Sequence, residues 1–362
     1  LTVIFSSGSS GQPKGVMLSH HNVLSNIEAL RAVFQLKSSD NLCAILPFFH
    51  SFGFTCSLWL PLISGVASVY IANPLDSALI GDTAKQNRST ILFAAPTFLL
   101  NYIRRIPAED FASMRAVVVG AEKLKPQIAD SFEQKFKIRP LEGYGSTELS
   151  PVVSLNLSDV DAGGMCHKGN KPGTVGHPIP GVAIKVVDPD SMEPLPIGRP
   201  GILLVRGPNV MLGYLNDAEK TRQAITDGWY NTGDIVTIDE DGFITITDRL
   251  SRFSKIGGEM VPHLRIEDLF HSRLNTSEQV IAVTSIPEPK KGEELVVVYL
   301  EGAADPAFLR EIASDSRLPN LWKPKRYHYI PVKQMPVLGS GKLDIMTLKK
   351  IALNAKNIAH AS

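Results

Sequence analysis

Up to Gly143 the chain alternates two textures of apolar residues. Short β-branched runs at 66–71 (VASVYI), 90–95 (TILFAA) and 115–120 (RAVVVG) predict buried strands. Between and after them, Asn73 to Asn87, Pro96 to Ile106 and Lys125 to Lys137 show helical spacing, the last two with a proline in the first turn. Strand–helix alternation of this kind predicts an α/β fold, a mostly parallel sheet with helices on both faces. After Gly143 the pattern changes to short strands joined by Pro, Gly and Asp turns, including the hairpin signal Glu240-Asp241-Gly242. This predicts an antiparallel β subdomain at about 150–249. From about Leu250 a smaller α+β unit follows, with strands at Gln279–Ile286 and Glu294–Leu300 and helices near Arg265–Arg273 and Asp305–Ser316. The expected division is therefore 1–249 and 250–362.

One stretch invites a membrane reading, because Asn41 to Leu75 carries no charged side chain. Pro47 and Pro61 leave only 48–60 between them, the length of a buried helix and short of the ~20 residues a span needs. The composition is that of a soluble globular protein: 44% hydrophobic and 20% charged over 362 residues, with a net charge of +1. That balance gives no electrostatic footprint for nucleic acid. Cys43, Cys56 and Cys166 form no paired spacing, which suits reduced thiols and a cytoplasmic setting. No stretch reads as a signal peptide, and the opening apolar strand, Leu1 to Phe5, is abrupt enough to suggest a portion upstream of it.

That strand runs into FSSGSSGQPKG at 5–15. Bare backbone, hydroxyls and Lys14 leave many donors in one concavity, a nest suited to phosphate oxygens. The spacing does not fit a Walker P-loop, since Pro13 precedes the lysine and Gly15 follows it. A flexible linker is the competing reading of the loop alone.

Further motifs bear on that choice. The loop resembles the pattern [ST]-[SG]-G-[ST]-T-G-x-P-K-G of the adenylate-forming (AMP-binding) enzymes, which include acyl-CoA synthetases, luciferases and adenylation domains. GYGSTE at 143–148 resembles that family's adenine and magnesium motif, and WYNTGD at 229–234 its ribose motif. DRLSRFSKIGGE at 248–259 resembles its interdomain hinge, and MPVLGSGKLD at 335–344 its C-terminal lysine loop. The five occur in the family's order and span nearly the whole chain. Relatives carry well over a hundred further residues before the first motif, and some carry an upstream acyltransferase domain.

The resemblance implies two half-reactions: a carboxylate attacks the α-phosphate of ATP to give an acyl-adenylate, and a thiol then displaces AMP. It implies that Ser6, Ser7, Gly8, Ser9, Ser10, Gly11 and Lys14 cradle the β- and γ-phosphates. Tyr144 packs on adenine, beside Gly120, Ala121, Glu122 and Gly145. Thr147 touches the α-phosphate, and Glu148 holds Mg²⁺, for which one carboxylate plus phosphate oxygens suffices. Asp234 accepts the ribose hydroxyls with help from Arg249. Lys342 contacts carboxylate and α-phosphate, then leaves as the small domain swings at Ser251, bringing in Lys255, Gly257 and Gly258 beside the thiol tunnel. The competing readings are a core ring for Tyr144 and an exposed loop lysine for Lys342, and without the family pattern Asp234 reads simply as a turn residue.

PFFHSFGFT at 47–55 matches the family's aromatic stretch, with His50 near the carboxylate entrance. It lacks the Asp that amino-acid-activating members place there. Phe49, Phe52 and Phe54 are therefore expected to form an apolar wall for a fatty acyl chain, and a purely structural core explains the same aromatics equally well. SKIGGEMV and MPVLGSGKLD are most similar to bacterial acyl-acyl carrier protein synthetases, so the expected partner is acyl carrier protein, with coenzyme A as the alternative acceptor. Lys323, Lys325 and Arg326 form a candidate docking patch for an acidic carrier, and peripheral membrane contact is compatible with such a substrate. Three positions depart from the pattern: Ser10 for Thr, Ser251 for Asp or Lys, and Asp344 for a frequent Arg. A non-catalytic relic and a luciferase-like oxygenase are the competing classes. Retention of Lys14, Glu148, Asp234 and Lys342 favours the ligase.

Overall fold

A computed structural model of the chain describes residues 1–7, 13–163, 165–276, 278–314, 318–325, 328–337 and 343–361. Chain contacts divide it into two compact units: one built from 1–6, 13–232 and 236–246, the other from 7–12, 233–235 and 247–362.

The first unit opens with β1 (Thr2–Ser7), β2 (Pro13–Leu18) and α1 (His20–Phe34). Ser19 starts α1 through a capping box: its hydroxyl accepts the Asn22 N–H at 3.0 Å while the Asn22 side chain accepts the Ser19 N–H at 2.8 Å. Then come β3 (Asn41–Ala44), α2 (Leu60–Ser64), β4 (Ala67–Tyr70), α3 (Ser77–Gln86), β5 (Ile91–Ala94) and α4 (Pro96–Arg105). β6 (Ala116–Val119), α5 (Pro126–Phe136), β7 (Leu141–Gly145) and β8 (Val152–Leu155) complete the βα series. The short β9 (Val160–Ala162) and β10 (Met165–His167) pair with each other, and β11 (His177–Pro178) pairs with β8.

The seven-stranded sheet has the order β11-β8-β7-β6-β5-β3-β4, parallel from β7 to β4 and antiparallel at β8 and β11. Every residue of β5 and β6 is buried, as the continuous apolar runs require of a strand covered on both faces. Against it, Tyr102, Phe111, Phe132 and Phe136 stack in one aromatic cluster from the α4–α5 region.

The β subdomain follows as β12 (Ala183–Val187), β13 (Gly201–Arg206), β14 (Gly213–Tyr214), α6 (Ala218–Ala224), β15 (Ile225–Thr226), β16 (Trp229–Ile238) and β17 (Ile244–Arg249). β12, β13, β16 and β15 form one sheet with β17 on β16, while β14 joins β2 and β1 in a separate three-stranded sheet. The expected turn between β16 and β17 forms at 239–242, with Asp239 Oδ1 accepting the Phe243 N–H at 2.9 Å.

The expected helix at 48–60 is corrected in form. Helical backbone runs from 51 to 64, straight through Pro61, and its stretch Gly53–Trp59 is a π-helix. A proline ring clashes with the carbonyl four residues back in an α-helix, and the wider turns just ahead of Pro61 relieve that clash. Gly65, in the left-handed region at φ 67°, ends the helix. Among the described residues no helix is long and apolar enough to cross a membrane.

The second unit contains β18 (Phe253–Ile256), β19 (Glu259–Pro262), α7 (His263–Arg273), β20 (Ile281–Glu288), β21 (Gly292–Leu300), α8 (Pro306–Ala313), β22 (Tyr329–Val332) and α9 (Ile345–Ala361). The sheet runs β19-β18-β21-β20 with β22 parallel to β21. Alternation along its strands serves two cores: Val283, Leu295 and Val297 pack with Ile266, Phe270, Leu309 and Ile312, whereas Ala282, Val296 and Val298 pack with Leu348 and Ala352.

Candidate functional site

In the first unit, the carboxyl ends of β3, β6 and β7 deliver His50, the turn Gly120 to Glu122, and the segment Tyr144 to Glu148. Ligands of open α/β sheets bind at that edge. Gly120 lies under Phe52, where a Cβ would come within 3.4 Å of the ring, and Ala121 takes a left-handed φ of 69°. Glu122 is exposed. Tyr144 is half-buried against the main core, opposite Ser154 on β8. Beyond it the β7–β8 register shifts, and Gly145 passes so close to the returning chain that a Cβ would lie 2.0 Å from the Pro151 carbonyl. Only glycine fits there.

The segment after Gly145 is braced from three sides. Ser146 N–H bonds the Pro151 carbonyl at 3.0 Å. Thr55, on the π-helical turns, donates its hydroxyl to the Ser150 carbonyl at 2.9 Å, and Ser51 meets the Thr147 hydroxyl at 3.2 Å. From the β13–β14 connection, Asn209 donates to the Leu149 carbonyl at 3.0 Å and the Met211 N–H to the Glu148 carbonyl at 2.8 Å. Thr147 and Glu148 are thereby held on fixed backbone.

Glu148 also receives the Tyr214 hydroxyl at 3.0 Å. Burial, then the Glu148 charge, push the Tyr214 hydroxyl well above its ordinary range, so it stays a neutral donor, and the Tyr230 phenol is raised for the same two reasons. The Lys14 ammonium sits 5.0 Å from the centre of the Tyr214 ring. Tyr214 thus joins the lysine after the Ser/Gly loop to the acid of GYGSTE. Sequence reasoning missed it. Tyr230 lay inside a quoted motif, but nothing local marked Tyr214.

Ser6, at the end of β1, is half-buried, and Ser7 is the last residue of that strand. Gly8, Ser9, Ser10 and Gly11 lie outside the described residues, as do Lys342 and Arg326. His50 is exposed, and its Nδ1 accepts the Phe52 N–H at 3.2 Å. The three aromatic residues expected to form one acyl wall diverge: Phe49 is 82% exposed, Phe52 packs edge-on against Phe93 and Phe54 against Trp59. Helical geometry points neighbours two residues apart in different directions.

In the second unit, Asp234 is buried and its carboxylate meets the Arg249 Nε at 3.1 Å. Asp248 accepts the Leu264 N–H at 2.7 Å at the start of α7, and Arg252 pairs with buried Glu267 at 2.5 Å. His263 is buried with Ser254 Oγ at 2.6 Å, and burial drives its pKa down to about 3, so it is neutral. The segment on either side of Ser251 is therefore anchored within this unit; the Ser251 side chain itself is not described. Lys255 is exposed, with its N–H on Glu293 at 2.7 Å. Gly257 and Gly258 turn the β18–β19 hairpin with φ of 60° and 86°. A Cβ at Gly258 meets nothing within 4 Å, so backbone conformation, rather than crowding, calls for glycine there. Asp344 caps α9: its carboxylate accepts the Thr347 N–H at 3.1 Å and hydroxyl at 2.8 Å, which explains the acid at that position. Among the described residues no cluster of three or more His, Cys, Asp or Glu could hold a metal by itself.

The AMP-binding enzyme family profile matches residues 1–215. The chain belongs to the AMP-binding enzyme family. It is 32% identical to the medium-chain fatty-acid–CoA ligase of Escherichia coli K12, over 96% of this chain and 60% of that protein. It is likewise 32% identical to the long-chain-fatty-acid–CoA ligase of E. coli O6:H1, over 85% and 53%. Among solved structures it is similar to ATP-bound MatB from Rhodopseudomonas palustris, with 29% identity, a TM-score of 0.81, and coverage of 96% of this chain and 67% of MatB. This AMP-binding chain spans a little over half the length of the curated relatives it matches.

Proposed function

We propose that the protein activates a fatty acid with ATP as an acyl-adenylate and passes the acyl group to a phosphopantetheine thiol. The observation that carries this reading is the convergence of Lys14, Tyr214 and Glu148 beside Thr147 at the carboxyl edge of the parallel sheet. The named relatives support fatty acids as substrates, and MatB, solved with ATP, supports the nucleotide.

In this reading Tyr144 packs on adenine between Gly145 and the 120–122 turn. Lys14 and the loop Ser6 to Gly11 hold the β- and γ-phosphates, and Asp234, oriented by Arg249, accepts the ribose hydroxyls. The acid oxygen attacks the α-phosphorus and the bond to the β-phosphate oxygen breaks, releasing pyrophosphate. The Thr147 hydroxyl, oriented by Ser51, and Lys342 meet the charge that builds on the α-phosphate. Glu148 fits Mg²⁺ as a single hard carboxylate whose partner is a neutral phenol. When bound, Mg²⁺ neutralises phosphate charge. In the second half the thiol sulfur adds to the acyl carbon and AMP leaves. We take 1–249 as the AMP-binding domain and 250–362 as a lid hinged at Ser251, with Lys255, Gly257 and Gly258 serving the thiol step and His50 the acid entrance.

The relatives are CoA ligases, which supports coenzyme A as acceptor. The similarity of the 254–261 and 335–344 segments to carrier-protein synthetases supports acyl carrier protein as the second reading. Pyrophosphate exchange with a panel of fatty acids tests the activity, and coenzyme A against carrier protein then decides the thiol. Lys342→Ala is expected to lower exchange about 10²-fold, roughly 3 kcal/mol of barrier, while thioester formation from supplied acyl-adenylate persists. No exchange with any acid, or equal loss of both halves, overturns the assignment.

A further inference from the structure

Glu142 lies on β7, two residues before Tyr144, and is buried. Its Oε1 accepts the N–H of Leu124 at 2.9 Å, at the far end of the turn that begins with Gly120. Burial raises its pKa to about 7, against the pull of the Leu124 N–H and the Lys123 charge. Its backbone is fixed as well: the Glu142 carbonyl accepts both the N–H and the side-chain amide of Asn156 at 3.0 Å. That amide also reaches the Thr174 carbonyl at 2.7 Å, while Asn156 Oδ1 accepts the Lys171 N–H at 3.0 Å. The strand is held from one side by Asn156, and Glu142 extends that hold across to the 120–124 turn. A cavity of about 40 Å³ beside it, bounded by Leu124, Asn156 and Thr174, leaves room for an isosteric apolar side chain.

We propose that Glu142 is a positioning residue for nucleotide binding: by accepting the Leu124 N–H, its carboxylate sets the Gly120–Glu122 turn at a fixed distance from Tyr144. The proposal rests on the nucleotide reading of this site, in which those two edges grip adenine. Removing the acceptor frees the turn and leaves the Leu124 N–H buried without a partner. Glutamine keeps an acceptor oxygen at the same reach; leucine fills the volume without one; aspartate falls one methylene short.

The test compares wild type, Glu142→Gln, Glu142→Leu, Glu142→Asp and Tyr144→Ala in overall thioester formation, with AMP and inorganic pyrophosphate as product inhibitors. Glu142→Leu and Glu142→Asp are expected to raise KM for ATP and the inhibition constant of AMP about tenfold, equivalent to about 1.4 kcal/mol. Pyrophosphate inhibition and KM for the acid stay within about twofold, and Glu142→Gln matches wild type. A merely structural role moves both inhibitors together or neither. If the leucine variant does not fold, the aspartate variant carries the same readout. The proposal is overturned if Tyr144→Ala weakens AMP inhibition while the Asp and Leu variants do not. If Tyr144→Ala also leaves AMP inhibition unchanged, the nucleotide reading itself fails.

Discussion

The two ends of the parallel sheet hold their carboxylates in opposite ways. At the amino end, Asp40 precedes β3 and is closed in by donors: Arg115 at 2.7 and 2.6 Å, Thr90 at 2.8 Å and the Lys37 N–H at 2.7 Å. Burial opposes its charge, but the Arg115 hydrogen bonds lead a set of donors that outweighs it, and its pKa falls to about 2. At the carboxyl end, Glu148 is met by the phenol of Tyr214 and Glu142 by a backbone N–H. An acid enclosed by a guanidinium is a fastener. An acid held by neutral donors lacks that counter-charge: burial raises the pKa of Glu142 to about 7, and Glu148 stays partly exposed at the sheet edge where ligands of open α/β sheets bind.

Four measurements break or sharpen that contrast, from the largest expected effect to the smallest. Arg115→Leu strands a buried charge at Asp40 and should lower unfolding free energy by about 3–5 kcal/mol in denaturant titration. A loss below about 1 kcal/mol would remove the distinction. Glu142→Gln should act in the opposite direction. Because the folded-state pKa of Glu142 is raised from 4.5 to about 7, its ionisation drains stability as pH rises through that window. The variant should match wild type near pH 4 and be more stable above pH 7, by on the order of 3 kcal/mol at most; thermal melts across pH read this directly. The Asp40 pair has the opposite sign, present above about pH 4 and lost as pH falls towards 2, worth about 2 kcal/mol. Glu148→Gln should leave melting unchanged and cut pyrophosphate exchange about 10²-fold, about 2.7 kcal/mol. Unchanged exchange would return Glu148 to the class of fasteners. Ser51→Ala loses one hydroxyl contact to Thr147 and should slow exchange by about fivefold, about 1 kcal/mol, with KM for ATP little altered.

The βα series was legible because continuous apolar runs such as 115–120 and prolines at helix starts report local physics. The parallel sheet that follows from them is present, with strand edges within a residue or two. What escaped has no local signature. The π-helical turns arise from a conflict between Pro61 and continued helix, which periodicity cannot register. β19 and β22 are short and have too few alternating positions to declare themselves. Asp344, a departure from the family pattern, proves to be a helix cap, a role visible only once α9 is seen to begin beside it. Glu148 and Thr147 were legible through their motif, whereas Tyr214, Ser51 and Glu142 earn their places by contacts across 66, 96 and 18 residues of sequence.

The bracing of the 145–151 segment bears on how such enzymes can be recombined. Its supports come from Thr55, Asn209 and Met211, on two distant stretches, and its backbone runs too near Pro151 to tolerate any side chain at Gly145. A chimera that imports this hairpin alone would arrive without its scaffolding. Grafts that exchange the hairpin together with 51–55 and 209–211 should retain activity where the isolated transplant does not.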